Sequence, residues 1–387
     1  MLALLLALQL PTRWAADVTP QRVHAEYPRP QLVRRAWLNL NGSWDYAVRD
    51  SGAPRPRQFD GKILVPFPIQ SALSGVHRAV TPTQRLWYRR SFRLPAAPGP
   101  RGTRWLLHFG AVDWETTVFV NGRAVDTHRG GYDPFTLDIT AALRSGGGDR
   151  EQELVVRVWD PTDAGDQPRG KQVAKPHSIW YTAVTGIWQT VWLEPVPPRY
   201  IASLDVRPDV DAGTVSVRVS AAGPDTALTI RVTALDGDRP VATASGLAGQ
   251  PLTLHLPNAK LWAPGHPFLY GLRVAAGTGD DSVTSYFGMR KIAVGRDSAG
   301  VLRLFLNNRP LFELGTLDQG WWPDGLYTAP TAAALRSDIE TLQRLGFNLI
   351  RKHVKVEPER WYYDCDSLGM LVWQDMPSAE NKTALGR

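Results

Sequence analysis

Three kinds of apolar spacing follow one another along this chain. From about Glu26 to Val196, short apolar runs are separated by turn residues: LWYRRSFRLP (86–95), WLLHFGAVDWETTVFVNGRAV (105–125), ELVVRVWDP (153–161) and GIWQTVWLEPV (186–196). Period-two spacing of this kind predicts β-strands. Asn121–Gly122, between VFV and RAV, is a two-residue hairpin signal, because both residues take positive φ at low cost. The alternation in TVWLEP (190–195) predicts a strand with one face inward. GGYDPFTLDITAAL (130–143) reads as a turn and then a single helical turn capped by Asp138 or Thr140. Residues 25–197 are therefore expected to form a two-sheet antiparallel sandwich.

From Arg199 to Val294 the runs shorten and alternate strictly: TVSVRVSAAG, ALTIRVTALDG, PLTLHLPNA and LYGLRVAAG, with Gly, Asp and Asn at the turns. Roughly seven short strands over 198–295 fit an immunoglobulin-like sandwich that lacks the Cys–Trp–Cys core. Beyond Gly300 the period lengthens. After the strands of LRLFLNNRPLFELGT (302–316), Leu335, Ile339, Leu342 and Leu345 recur at helical spacing and stop at Gly346. FNLIRKHV predicts a strand, and a helix is expected from behind Pro358 to Gly369. The apolar run Met370–Trp373 predicts a strand buried on both faces. This β-α-β-α-β order over 296–387 opens an α/β unit.

Charge changes the picture little. There are 44 Lys and Arg against 37 Asp and Glu, a formal net charge of +7. The cations are scattered among acids with no dense basic stripe, so nucleic acid is not an expected partner. Cys365 is the single cysteine, which excludes an intrachain disulfide and any Cys-based zinc site. Residues 1–24 hold an apolar run, Leu2–Leu10, and small residues at Ala15–Ala16. They suit a secretory leader that lacks its positive n-region, so a secreted or periplasmic protein is expected, or otherwise a cytoplasmic one. No other stretch approaches the ~18 apolar residues of a membrane span. Asp160, Asp163 and Asp166 recur at calcium-like spacing in the polar insertion Trp159–Gln172, but no Glu completes an EF-hand. No metal is expected there; the insertion reads as a solvated loop or one that reaches toward the third unit.

Taken together, the motifs resemble glycoside hydrolase family 2, the family of β-galactosidases, β-glucuronidases and β-mannosidases. LNGSW (40–44), FVNGRAV (119–125), GGYDPF (130–135) and GIWQTVWL (186–193) are similar to its sugar-binding domain, and FGMRKI (287–292) to the strand before its barrel. Asn348, Arg351, Trp361–Tyr362, Asp366, Gly369 and Met370–Trp373 fall at the spacing of its barrel signature. KHVKV (352–356) departs from it, standing where the family has two small residues and His-Tyr-Pro. The resemblance implies a jelly-roll sandwich, an immunoglobulin-like sandwich and an incomplete (β/α)8 barrel represented by its first three strands. It also implies hydrolysis of a terminal β-glycoside with retention and no organic cofactor.

Strand tips of such a barrel face a shared mouth. Arg351, His353 and Lys355 alternate, so one face of the strand and its following loop is expected to carry all three toward an acidic or densely hydroxylated sugar. Asp318 and Trp321, after the first strand of the unit, pair a carboxylate with an indole, which suits sugar recognition. Gln374 and Asp375 close the third strand and join the same candidate set by position. For each of these residues the plain alternative is a solvated strand end or a packed loop.

The family's acid/base is the Glu of an Asn-Glu pair, and no Asn-Glu dipeptide occurs in this sequence. Both catalytic Glu residues are accordingly expected beyond Arg387, with this chain a truncated fragment that has no turnover. The expected partners are a β-glycoside carbohydrate and either a second copy of the chain or a complementing barrel fragment. The rival expectation is a non-catalytic carbohydrate-binding or adhesion protein built on the two sandwiches.

Overall fold

The computed structural model describes residues 10–95, 102–144, 150–224, 227–277 and 281–379. Residues 2–9 of the expected leader and the polar tail 380–387 lie outside the described residues.

The first unit is a sandwich of two antiparallel sheets. One runs in the order Gly61–Val65, Gly42–Asp50, Gln84–Arg93, Glu151–Trp159, Glu115–Val120, Arg123–Arg129; the other runs Leu38–Asn39, Val191–Val196, Arg104–Phe109, Phe135–Asp138. Alternate residues of both, including Trp44, Tyr88, Val118, Val156, Leu107 and Leu193, meet in a buried core. The Asn121–Gly122 hairpin forms as the sequence predicts: Val120 pairs with Arg123, and the two turn residues sit at φ 51° and 82°. A 3-10 turn occupies Thr140–Ala142, and Asp138 Oδ1 accepts its first amide at 2.9 Å.

The strand over Val191–Val196 departs from its expected one-sided burial: all six residues are buried. Its outward residue Glu194 is covered by the N-terminal segment. Arg34 Nε lies 3.1 Å from Glu194 Oε2 and Arg29 Nη2 lies 3.3 Å from Oε1, while Tyr27 and Trp192 donate to the same carboxylate. Burial pushes this carboxyl upward, but His108, Arg29 and the Tyr27 hydrogen bond outweigh it and hold Glu194 well below the usual range.

Among its described residues the second unit has seven strands between Tyr200 and Phe287, in a three-stranded and a four-stranded antiparallel sheet. Val217, Ile230, Val232, Leu254, Leu272 and Val274 fill the space between them. Aliphatic packing takes the place of the missing disulfide core. A three-stranded antiparallel sheet (Ile292–Arg296, Leu302–Leu306, Arg309–Pro310) leads out of it.

The third unit is a three-stranded parallel sheet in the order Gly315–Asp318, Leu349–Lys352, Leu371–Gln374, with helices α1 (Ala332–Arg344) and α2 (Glu359–Leu368). Thr331 caps α1, its hydroxyl accepting the Ala334 amide at 3.0 Å, and Gly346 (φ 87°) follows its end. Gly369 ends α2 in the left-handed conformation that a glycine adopts without strain. Both helices cover one face of the sheet, where Leu335, Ile339, Ile350, Trp361 and Cys365 are buried together. On the other face Leu317, Arg351 and Trp373 lie in register, and all three are exposed. The expectation that Met370–Trp373 is buried on both faces therefore fails at its end. Met370 and Leu371 are buried, whereas Trp373 is 50% exposed, because the helices shield one side only. Among the described residues no helix is long and apolar enough to cross a membrane.

Candidate functional site

The tips of the parallel strands gather two separate charge clusters. The inner one centres on Lys352, the last residue of the middle strand, which points to the helix-covered face. Its Nζ lies 2.6 Å from Asp318 Oδ2 and 2.8 Å from Glu357 Oε1, and 4.4 Å from the centre of the Trp361 ring. Lys355 Nζ shares Glu357 Oε1 at 2.9 Å and donates to the carbonyls of Gly320 (2.7 Å) and Tyr327 (2.8 Å). Two ammonium groups thus balance two carboxylates out of water. Burial lowers both lysines' affinity for their protons. At Lys352 the Glu357 and Asp318 charges win and raise it above the usual range; at Lys355 burial outweighs the Glu357 charge, the Lys352 cation adds to it, and the group is pulled down to about 8. Its three acceptors still keep Lys355 protonated at neutral pH. Burial raises Asp318, but the Lys352 charge and hydrogen bond hold it below the ordinary range.

The outer cluster is the exposed one. Arg351 Nη2 lies 2.9 Å from Asp375 Oδ2, its Nε 3.0 Å from the same atom, and His353 Nδ1 2.7 Å from it. The small burial of Asp375 raises its carboxyl slightly, and His353 and Arg351 more than reverse this, so Asp375 stays ionised. Half of the Arg351 side chain remains open to solvent.

Arg351 and His353 therefore converge, and Lys355 does not join them. Val354 has φ 48°, which breaks the strand's alternation and turns Lys355 inward. Gln374 serves as a strut: it accepts from the Tyr362 hydroxyl and donates to the carbonyls of Lys355 and Asp375, each at 2.8 Å. Trp321 stacks on Tyr181 (ring centres 4.3 Å apart) and leans on Tyr327 at 4.6 Å. Among the sequence-predicted residues, Arg351, His353 and Asp375 form one surface rim, and Asp318 and Lys355 belong to the buried cluster. Sequence reasoning missed Lys352 and Glu357. The signal was the run KHVKVE, in which a strand-end Lys and a second Lys precede a Glu that cannot be left unpaired if buried.

The polar insertion of the sandwich does reach this region. The amides of Arg169 and Gly170 donate to Ser378 O at 3.1 and 3.2 Å. Gly170 sits at φ 57°, where a Cβ would lie 2.5 Å from Val354 O. Gln172 Nε2 ties the loop to Asp113 Oδ2 at 2.8 Å. Asp160 turns inward to Thr162 and Thr185, while Asp163 and Asp166 face solvent, so their regular spacing gathers no common ligand set. Burial raises Asp160 to about 6, against the hydrogen bonds from Thr185 and Thr162.

The chain thus builds a sandwich whose loop meets the tip of a parallel sheet, with an immunoglobulin-like unit between. Residues 27–197 match "Glycosyl hydrolases family 2, sugar binding domain" and residues 199–290 match "Glycosyl hydrolases family 2"; the chain belongs to that family. It is 28% identical over 417 residues to the β-glucuronidase of Felis catus, which covers 95% of this chain and 60% of that one. It is 25% identical over 360 residues to the β-galactosidase of Thermoanaerobacter pseudethanolicus, covering 88% and 46%. The solved β-glucuronidase of Ruminococcus gnavus superposes with a TM-score of 0.74 at 20% identity, over 92% of this chain and 59% of that one, a likeness of fold. The chain spans about half the length of the curated relatives it matches.

Proposed function

We propose that this chain serves the hydrolysis of terminal β-glycosides with retention, supplying the sugar-binding sandwich and one wall of the glycone pocket of a family 2 glycosidase. In this reading the unit from about residue 296 opens a (β/α)8 barrel, and its strand tips face the pocket. The observation that carries it is the rim: a half-exposed Arg351, aligned by Asp375 beside His353, on the sheet face that Leu317 and Trp373 leave open. A fixed guanidinium recognises a carboxylate in two-point fashion, so an acidic glycone such as a uronate is the favoured sugar. Retaining chemistry needs two carboxyls roughly 5–5.5 Å apart, one of them protonated. Asp318 and Asp375 are each held ionised by a cation, and the reading assigns the catalytic pair to no residue of this chain.

Calorimetric titration tests it. D-glucuronate is expected to bind more tightly than methyl β-D-glucopyranoside, and Arg351→Ala is expected to weaken the uronate about tenfold, the loss of one charge-assisted pair. The chain alone is expected to leave aryl β-glucuronides intact; turnover by the chain would overturn the assignment of the catalytic pair. The second reading, a carbohydrate-binding protein with no hydrolytic role, is favoured by the ion-paired state of Asp318 and Asp375. It requires glycan binding that is indifferent to Arg351→Ala.

A further inference from the structure

The outer face of the six-stranded sheet, turned away from the sandwich core, carries indoles and guanidinium groups side by side. Leu86 and Tyr88 point into the core, so alternation puts Arg85, Trp87 and Arg89 on the outer face of Gln84–Arg93. Glu153, Arg157 and Trp159 share that face on Glu151–Trp159. Arg157 is in register with Trp87 on one side and with Thr117 on the other. Arg85, two residues from Trp87, is therefore the diagonal neighbour of Arg157, a spacing of about 7–8 Å that long side chains span. Arg157 Cζ lies 5.9 Å from the centre of the Trp87 ring, and Arg85 Cζ lies 4.9 Å from that of Trp159. Trp87 is only 4% exposed and Phe119 stacks on it, so the floor under the pair is packed.

Asp45, Glu115 and Glu153, which share this face, are already taken. Lys62 and Arg89 hold Asp45, Arg129 holds Glu115, and Arg55 holds Glu153. Arg85 and Arg157 make no ion pair among the described residues. Arg85 Nη1 donates to the carbonyl of Gln84 and Arg157 Nη2 to the Thr117 hydroxyl. The Nε and Nη2 groups of Arg85, and Nε and Nη1 of Arg157, have no acceptor there and are open to solvent. Like charges on neighbouring strands also oppose each other. Burial lowers the affinity of Arg85 for its proton, the Glu115 charge acts against this, and the Arg157 charge lowers it further.

We propose that Arg85 and Arg157 form a site for a doubly charged tetrahedral oxyanion: inorganic phosphate or sulfate, or a phosphate monoester. The Nε–Nη2 edge of Arg85 offers two parallel donors to two oxygens, and the free donors of Arg157 approach from the neighbouring strand. An anion whose oxygens point in several directions meets both groups and matches their two charges. A planar carboxylate fills one fork, carries one charge and leaves the second guanidinium uncompensated. The indoles hold each guanidinium before the anion arrives, so less side-chain freedom is lost on binding. The site lies on the first sandwich, apart from the Arg351 rim, and does not depend on the glycosidase reading.

Calorimetric titration of the full chain at low ionic strength, against sodium chloride of matched ionic strength, tests it. Inorganic sulfate, inorganic phosphate and glycerol 2-phosphate are the probes, with acetate as the singly charged comparison. Sulfate and phosphate are expected to saturate one site, and acetate to bind at least about tenfold more weakly, the scale of lost charge-assisted hydrogen bonds. Tighter binding of glycerol 2-phosphate than of phosphate assigns the site to an ester, and the reverse order to the free ion. Arg85→Gln with Arg157→Gln is expected to weaken sulfate about tenfold or more. Arg85→Lys with Arg157→Lys keeps the charge and the apolar stems over the indoles, and is expected to weaken sulfate severalfold through loss of the forks. Arg231 and Arg273 supply the control. They too are diagonal neighbours, exposed on the strands Thr229–Asp236 and Tyr270–Ala276, and no aromatic ring among the described residues lies under them. Arg231→Gln with Arg273→Gln removes the same charge and is expected to leave sulfate binding unaltered. The proposal is overturned if sulfate shows no saturation beyond chloride, if acetate matches it, or if the control pair weakens it as much as the Arg85 and Arg157 pair.

Discussion

Glu357 is the residue on which the inner cluster depends. It pairs with Lys352 and Lys355 at once, and all three side chains are almost wholly out of water. Removing one partner of a buried ion pair leaves an uncompensated charge, at a cost of about 3–5 kcal/mol. Glu357→Gln is therefore expected to lower the stability of the third unit by an amount of that order, seen as an earlier urea midpoint. An unchanged midpoint would mean that the lysines find other acceptors. Asp160 gives a pH dependence of opposite sign to that of the ion-paired acids. In the unfolded chain it ionises near 3.8, and in the folded chain it keeps its proton up to about 6. The folded state binds the extra proton in that window, so its contribution to stability is lost as pH rises from about 4 to about 6. Unfolding followed across this range should show the slope of stability against pH shifted in the positive direction in Asp160→Asn, with less stability lost as pH rises than in the parent chain.

Among the elements, the loop over residues 160–185 joins the sandwich to the strand tips. Its grip rests on Gly170, whose left-handed φ and closeness to Val354 O exclude a side chain. Gly170→Ala is expected to cost about 1–3 kcal/mol, the range for forcing a side chain into such backbone, and to release the two amide bonds to Ser378. Limited proteolysis reads this directly: cleavage within 160–185 should accelerate, while the sandwich core stays protected. If cleavage is unchanged, the Tyr181–Trp321 stack is holding the loop by itself. At the start of α1 the Thr331 hydroxyl satisfies one of the open amides, and Thr331→Ala should cost about 1 kcal/mol, measurable as a small shift in the same urea transition.

For the whole molecule, the asymmetry of the parallel sheet matters most. Its helix-covered face is packed and its other face shows Leu317 and Trp373 to solvent on either side of Arg351. Exposed apolar groups next to a parallel strand edge promote association. The chain is expected to self-associate as concentration rises, and the double change Leu317→Lys with Trp373→Lys to reduce this in sedimentation velocity. Equal association of parent and variant would place the contact elsewhere. The same open face is what gives Arg351 its access to a ligand.

Local spacing determined a great deal of this protein without any help from the fold. The Asn121–Gly122 hairpin, the seven strands between Tyr200 and Phe287, and the helices stopped at Gly346 and Gly369 all follow from period and turn chemistry, which act over a few residues. So do Arg351 and Asp375, which lie at the tips of neighbouring parallel strands, Arg351 in register with Trp373 and Asp375 two residues beyond that partner. Only the tertiary structure decided the fate of residues whose partners lie far away in the chain. Glu194 reads as an outward strand position, yet it is buried because residues 27–34 fold back across it. Lys355 reads as a rim group, yet Val354 turns it inward to carbonyls at Gly320 and Tyr327. Periodicity reports which way a side chain leaves its own backbone; what covers it depends on contacts between segments hundreds of residues apart, and no local pattern encodes those.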